Sequence, residues 1–324
     1  MRIHVQNPPD DPLGPITPAL WAEVAARCKE PPHDVTFADD RAGYAALIPQ
    51  AEALVTDKDV LPTLLPLEAP RLKLVFVANA GLDNLAPFDW LPEGVMLLNN
   101  RGAHAAKAGE FGIMAVLMLA NRVPEMVTHQ RAGHWQKLWG SVLAGRRLTL
   151  VGLGGLGGAI AAHAAHFGMR ITGVRASGAP HPACERVVAP ETLDLVLPES
   201  EFLLLACPLT PRTRGLMDRR RLGLLPQGAG VVNIGRGPLM DQAALCDLLQ
   251  SGHLGGAVLD VFEQEPVPPE DRIWRVPNLI VSPHTAADDP ATYYARSLEC
   301  LFADLRALRA GERPPTLFDI AAGY

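Results

Sequence analysis

Short apolar runs recur along the chain at intervals that suit strands separated by helices. In residues 1–100 they are Ile3-His4-Val5, Val35-Thr36-Phe37, Ala53-Leu54-Val55, Leu74-Val75-Phe76-Val77 and Val95-Met96-Leu97-Leu98, set between Pro-rich or helix-like stretches. Continuous apolar runs are what strands buried on both faces carry, so the pattern predicts a parallel sheet covered by helices. A longer helical pattern runs from Ala103 to Arg122 and contains Gly109 and Gly112. Lacking side chains, these glycines admit another backbone at close range, either in the core or across a subunit interface. Strand signals resume at Leu148-Thr149-Leu150-Val151, Arg170-Ile171-Thr172-Gly173-Val174, Phe202-Leu203-Leu204-Leu205, Gly230-Val231-Val232-Asn233-Ile234, Gly256-Ala257-Val258-Leu259 and Leu279-Ile280-Val281. Helical stretches between most of them predict a second doubly wound sheet. A last helix, Ala291 to Ala310, precedes GERPPTLFDIAAGY, and this tail is expected to pack back on the first domain. The expected division is therefore 1–100 with 288–324 as one domain and 101–287 as the other. No internal repeat or low-complexity segment is present.

Composition narrows the class. A chain of 324 residues with 48% hydrophobic and 20% charged residues can bury two ordinary cores. The formal net charge of -6 comes without any long basic block, which speaks against a nucleic-acid partner. The densest basic cluster, Arg219-Arg220-Arg221, reads as a solvated turn. The five cysteines, Cys28, Cys184, Cys207, Cys246 and Cys300, are odd in number and lack C-x-x-C spacing, so neither a disulfide framework nor a zinc site is expected. With no signal-like start and no apolar run long enough to span a bilayer, the expected place is the cytoplasm, away from membranes.

Gly152-Leu153-Gly154-Gly155-Leu156-Gly157 follows one of the apolar runs and opens an Ala-rich helical stretch from Ala159 to Phe167. That is the context of a dinucleotide-binding G-x-G-x-x-G turn. Gly152 makes the tight turn, Gly154 lets the backbone reach a pyrophosphate, and Gly157 lets helix and strand pack closely. The residue after the next strand normally reads the adenosine ribose: a carboxylate accepts from the 2'-hydroxyl, whereas an arginine pairs with a 2'-phosphate. Here it is Arg175, with Ser177 beside it and no Asp or Glu between Gly157 and Glu185. NADP is therefore the expected cofactor, with NAD possible.

Three further segments, Asn233-Ile234-Gly235-Arg236-Gly237, Leu259-Asp260-Val261-Phe262-Glu263-Gln264-Glu265-Pro266 and Ser282-Pro283-His284-Thr285-Ala286, complete a pattern. With the glycine turn, the chain resembles the D-isomer-specific 2-hydroxyacid dehydrogenases, which include glyoxylate and hydroxypyruvate reductases. The likeness extends to Asn79-Ala80-Gly81-Leu82-Asp83-Asn84, Asn99-Asn100-Arg101-Gly102 and Ala322-Gly323-Tyr324. It implies an α/β architecture in which a Rossmann-type NAD(P)-binding domain is inserted in a discontinuous flavodoxin-like substrate domain. It also implies D stereochemistry and a homodimer. It assigns Ala80 and Gly81 to the substrate carboxylate, and Pro208, Thr210, Thr213, Ile234, Gly235 and Asp260 to the cofactor. Gly155-Leu156 replaces a frequent Arg-Ile pair of the family, which removes one side-chain contact to phosphate. Asn100 and Arg101 fall near the domain crossover, either touching substrate or only shaping a hinge. Trp135 and Trp139 lie in a loop that shapes the pocket in some relatives, with core packing the alternative.

The chemistry can also be argued from the residues. Reducing a 2-keto acid needs a cation for the carboxylate and carbonyl, a hydride donor, and a proton for the developing alkoxide. Arg236, planar and permanently charged, suits the first task. His284 suits the proton, and Glu265, if bonded to the other ring nitrogen, orients the ring and favours imidazolium. All three follow expected strands, beyond whose carboxyl ends open α/β sheets bind ligands. Two competing readings are a formate dehydrogenase, which would place Gln at Glu265, and a non-catalytic dinucleotide-regulated protein of the corepressor type. A metal enzyme is not expected, since no metal-ligand cluster is present in the sequence.

Overall fold

The structure, a computed structural model, describes residues 1–324 and divides into two compact units, Met1–His104 with Asp289–Tyr324, and Ala105–Asp288. The crossings thus fall at 104/105 and 288/289 rather than at 100/101 and 287/288. The first lies later because Asn100 to Ala103 form a turn belonging to the first unit, where the Ala103 N–H donates to the Asn100 carbonyl.

The first unit contains β1 (Arg2–Gln6), α1 (Pro18–Cys28), β2 (Asp34–Ala38), α2 (Arg41–Leu47), β3 (Ala53–Thr56), β4 (Leu74–Val77) and β5 (Met96–Asn99). Its strands form one parallel sheet in the order β2-β1-β3-β4-β5, the flavodoxin-like winding. Both central apolar strands, β3 and β4, are buried at every residue, as their continuous hydrophobic runs require. Thr17 caps α1 by accepting the Leu20 N–H, and Trp21 and Val24 turn its inner face to the core. The final helix of the chain returns to this unit and packs on α1, with Trp21 and Phe302 meeting edge to face at 5.0 Å between ring centres. The tail then lies against β5: Phe318 N–H donates to the Leu97 carbonyl, and buried Asp304 holds Thr316 through both its N–H and its hydroxyl. The unit is therefore discontinuous in sequence.

The second unit opens with α3 (Ala105–Ala120) and α4 (Val123–Arg131), then alternates β6 (Arg147–Val151), α5 (Gly155–His166), β7 (Arg170–Val174), β8 (Arg186–Val188), α6 (Leu193–Val196), β9 (Phe202–Leu205), α7 (Arg219–Gly223), β10 (Ala229–Asn233), α8 (Gln242–Gln250), β11 (Leu254–Leu259) and β12 (Leu279–Val281). The chain ends with α9 (Tyr293–Arg309) in the first unit. The seven strands run parallel in the order β12-β11-β10-β9-β6-β7-β8, the Rossmann winding with one strand added. Strand β8 carries only two valines and sits at the sheet edge, so its hydrophobic signal is faint. Helix α3 stops short of the expected Arg122 because that residue adopts a left-handed conformation and Pro124 starts the next helix.

Gly109 and Gly112 serve internal packing. A Cβ on Gly112 would sit 2.6 Å from Ile160 and one on Gly109 2.9 Å from His163, so both glycines let α3 and α5 touch. Arg219, Arg220 and Arg221 open helix α7 rather than forming the expected turn, because Asp218 caps it by accepting the Arg221 N–H, and the three cations pair with Asp247 and Asp194. No single helix is long and apolar enough to cross a membrane.

Candidate active site

In the second unit, Val281, Leu259, Asn233, Leu205, Val151 and Val174 pair in register as one row across β12, β11, β10, β9, β6 and β7. The glycine turn, Arg175, Pro208 and the three segments bearing Arg236, Glu265 and His284 all begin within a few residues of that row. With strands spaced ~4.8 Å apart, the row extends about 24 Å from Arg175 at one side to the Ser282–Ala286 turn at the other.

The glycine turn sits on β6, next to β9, where the winding changes direction. Gly152 has φ +97°, and a Cβ there would lie 2.6 Å from the Cys207 nitrogen. On Gly157 a Cβ would collide with the Gly152 carbonyl at 1.8 Å, whereas one on Gly154 meets nothing within 4 Å. Two glycines are thus demanded by the fold, and the third leaves open space beside the start of α5. The helical ladder begins with Gly158 N–H to Gly154 carbonyl, so the N–H groups of Gly155, Leu156 and Gly157 precede it. Donors at a helix start together with an open approach fit a dinucleotide pyrophosphate. Arg175 is half-buried after β7, and no carboxylate pairs with it; the Ser177 hydroxyl accepts the Ala179 N–H at 3.3 Å and keeps its own proton to give.

On the other side of the row, β10 delivers Arg236. Asn233 shapes the turn by accepting from Gly235 N–H and donating to the Arg236 carbonyl, while the Arg236 guanidinium braces on the Gly235 carbonyl at 2.8 Å. A Cβ on Gly237 would fall 1.9 Å from the Phe262 carbonyl group, so this turn lies directly on the segment carrying Glu265. Glu265 accepts the Phe262 N–H with one oxygen and meets His284 Nδ1 with the other at 2.6 Å. Burial pushes the Glu265 carboxyl up, but the His284 hydrogen bond, the Phe262 N–H and the charges of His284 and Arg236 outweigh it, holding the group below its ordinary value. Arg236, Glu265 and His284 therefore converge from three strand ends.

His284 itself has φ +56°, an uncommon conformation for a residue with a side chain. Asp260, 2% exposed, enforces it: the carboxylate accepts from Ser282 Oγ at 2.5 Å, Thr285 N–H at 2.9 Å and Ala286 N–H at 3.0 Å, and the Asp260 carbonyl accepts the His284 N–H. Asp260, expected beside the cofactor, thus shapes this turn with its carboxylate. Similarly, Thr213 donates to the Pro208 carbonyl and accepts from Thr210 N–H, bracing its loop from within. Sequence reasoning gave no role to Cys207, which packs between Gly152 and Gly235 with its thiol raised by burial to about 12. Its position directly beyond β9, at the switch of winding, was the available signal.

In the first unit, Ala80 and Gly81 follow β4; their N–H groups have no acceptor in the chain, and Asn99 holds the Ala80 carbonyl at 2.8 Å. Asn100 is fully buried, donating towards the Ala78 carbonyl, His104 and Ser297, and Arg101 reaches the Pro315 carbonyl. Both thus shape the crossover segment within that unit. Trp135 and Trp139 are 93% and 77% exposed, which rules out core packing.

A sequence profile described as "D-isomer specific 2-hydroxyacid dehydrogenase, NAD binding domain" matches residues 113–286, more than half of the chain. The chain belongs to the D-isomer-specific 2-hydroxyacid dehydrogenase family. A glyoxylate reductase from Korarchaeum cryptofilum is 34% identical over 277 residues, spanning 81% of this chain and 83% of that protein. A D-isomer-specific 2-hydroxyacid dehydrogenase from Xanthobacter autotrophicus Py2, solved with NADPH and MES, superposes with a TM-score of 0.84 at 30% identity, covering 100% of this chain and 99% of that one. An NADPH-dependent glyoxylate/hydroxypyruvate reductase from Sinorhizobium meliloti, solved with NADP and sulfate, gives 0.80 at 26% identity, with 100% and 99% covered. This member of the family is accordingly an NAD(P)-dependent oxidoreductase acting on 2-hydroxy or 2-keto acids.

Proposed function

We propose that the protein reduces a small 2-keto acid of the glyoxylate or hydroxypyruvate kind to its 2-hydroxy acid, the D isomer where the product is chiral, with NADPH in preference to NADH. The carrying observation is the 2.6 Å contact between His284 Nδ1 and Glu265 beside Arg236. Arg236 binds the substrate carboxylate and draws charge towards the carbonyl oxygen. Ala80 and Gly81, which the resemblance assigns to the substrate carboxylate, keep their backbone N–H groups without an acceptor in the first unit. With Nδ1 on Glu265, the other ring nitrogen, Nε2, is the one that hands its proton to the developing alkoxide; in oxidation it takes the proton back. The nicotinamide, when bound, supplies the hydride. Gly152, Gly154, Gly155, Leu156 and Gly157 would hold its pyrophosphate, Arg175 and Ser177 the 2'-phosphate, and Ile234, Gly235, Pro208, Thr213 and Asp260 would flank the rest.

Homodimer formation follows from the same reading. Trp135, Trp139 and Val142 stand exposed on the second unit, and Met114, Leu117 and Met118 line an apolar groove of about 430 Å³ on α3. Aromatic and methionine side chains in such a setting suit a partner interface. The free cysteines suit a reducing compartment, the cytoplasm. The deciding assay follows NADPH and NADH absorbance against a panel of 2-keto acids. Equal turnover with both cofactors would refute the NADP assignment, and no turnover with any keto acid would refute the reaction. Light scattering of the eluting protein tests the dimer; a monomer would remove that part.

A further inference from the structure

The segment after β7 carries a third donor beside Arg175 and Ser177. It turns where the Gly178 N–H reaches the Arg175 carbonyl at 3.1 Å, then doubles back along the start of α5. Gly173 makes room for the return: a Cβ there would lie 2.4 Å from Leu153 and 3.1 Å from Cys184. His181 lies against the helix, its Nε2 3.2 Å from where a Cβ on Gly158 would stand. A side chain at Gly158 would thus crowd the imidazole, which rests on the bare first turn of α5. His181 Nδ1 accepts the Ala183 N–H at 3.3 Å. That bond occupies the Nδ1 lone pair, so the neutral ring carries its proton on Nε2, where no acceptor in the chain meets it.

The local charge is one-sided. Arg175 has no carboxylate partner, and it acts on Cys184, three residues beyond His181. Glu185, the first carboxylate after the glycine turn, accepts from Nε and Nη2 of Arg170 at 3.0 and 2.9 Å and so is held on the surface by another cation. Gly155 contributes no side chain to the phosphate region, which leaves the returning loop as a source of side-chain donors there. We infer that His181 is a third hydrogen-bond donor of the 2'-phosphate site, completing it with Arg175 and Ser177. The inference rests on the NADP preference proposed above.

Isothermal titration of the intact protein with 2',5'-ADP and with 5'-AMP isolates the 2'-phosphate, the one group by which these probes differ. The wild type should bind 2',5'-ADP more tightly. His181→Ala should weaken 2',5'-ADP about tenfold, the loss of one hydrogen bond to a charged group, and leave 5'-AMP unchanged. Arg175→Ala should remove most of the preference. No preference in the wild type would overturn the NADP reading and this inference with it. A preference lost in Arg175→Ala but intact in His181→Ala would overturn the inference alone, as would equal weakening of both probes by His181→Ala, which would mark a structural role.

Discussion

Asp260→Asn tests whether the left-handed turn at His284 is held by a carboxylate. The change preserves shape and removes one acceptor. If the amide oxygen keeps Ser282 and Thr285, the amide nitrogen faces the Ala286 N–H, donor against donor, at a site 2% exposed. Losing a bond to a charged group and leaving a buried N–H unmade costs about 2–4 kcal/mol together. For domains of this size each kcal/mol shifts the midpoint by ~2–4 °C, so Tm should fall by roughly 5–15 °C. The conformation of His284 costs about 1–2 kcal/mol on its own, so a weakened clamp lets the turn relax and the imidazole move. Misplacement of a reacting group by ~1 Å can cost about 100-fold in rate, and kcat should fall by that order. Binding of 2',5'-ADP, which lacks the nicotinamide, should not change. Scanning calorimetry and keto-acid turnover read both effects; a variant with wild-type Tm and wild-type kcat would refute the clamp.

His284→Ala should reduce keto-acid turnover by at least ~100-fold while fluorescence titration still detects NADPH binding; loss of binding instead would place His284 in the cofactor site. Glu265 has a pKa below its ordinary value, so its charge, and the stabilisation it exchanges with His284, is present above the unfolded-state value and is lost only as pH falls through the lower folded value. Replacing it with Gln should therefore move the alkaline limit of reduction to lower pH, and an unmoved pH–rate profile would count against the pairing. Gly157→Ala and Gly154→Ala should separate fold from ligand: the first forces a contact of 1.8 Å with the Gly152 carbonyl and should lower Tm, whereas the second enters open space and should weaken NADPH binding with Tm unchanged. Equal Tm values for the two would contradict the division of roles.

The positions that sequence made legible share a local signal. Strands β3, β4 and β9 are continuous apolar runs that only a sheet covered on both faces can bury, and the positive φ of Gly152 and the contact of Gly157 with the Gly152 carbonyl are reasons local to one turn. What escaped depends on contacts distant along the chain. Nothing near Asp260 reveals that it will hold the N–H groups of Thr285 and Ala286, and nothing near Gly237 reveals that Phe262 will press on it. The exposure of Trp135 and Trp139 was equally hidden, because an aromatic residue in a polar loop reads the same whether it is packed or bare.

Register explains why residues so far apart in sequence can act as one centre. Asn233 pairs with Leu259 and Leu259 with Val281, so the turns bearing Arg236, Glu265 and His284 leave the sheet from the same row. Both faces of the central strands are buried, which makes a slip costly: moving β10 by one residue would turn Val231 and Val232 to opposite faces and carry the Arg236 turn out of line. The same row continues through Leu205 and Val151 to the glycine turn. The spacing between the proton-donating side and the dinucleotide side is therefore fixed by backbone hydrogen bonds rather than by the side chains of the site. Substitutions in the turns can retune acidity or cofactor choice one residue at a time without moving the row that aligns them.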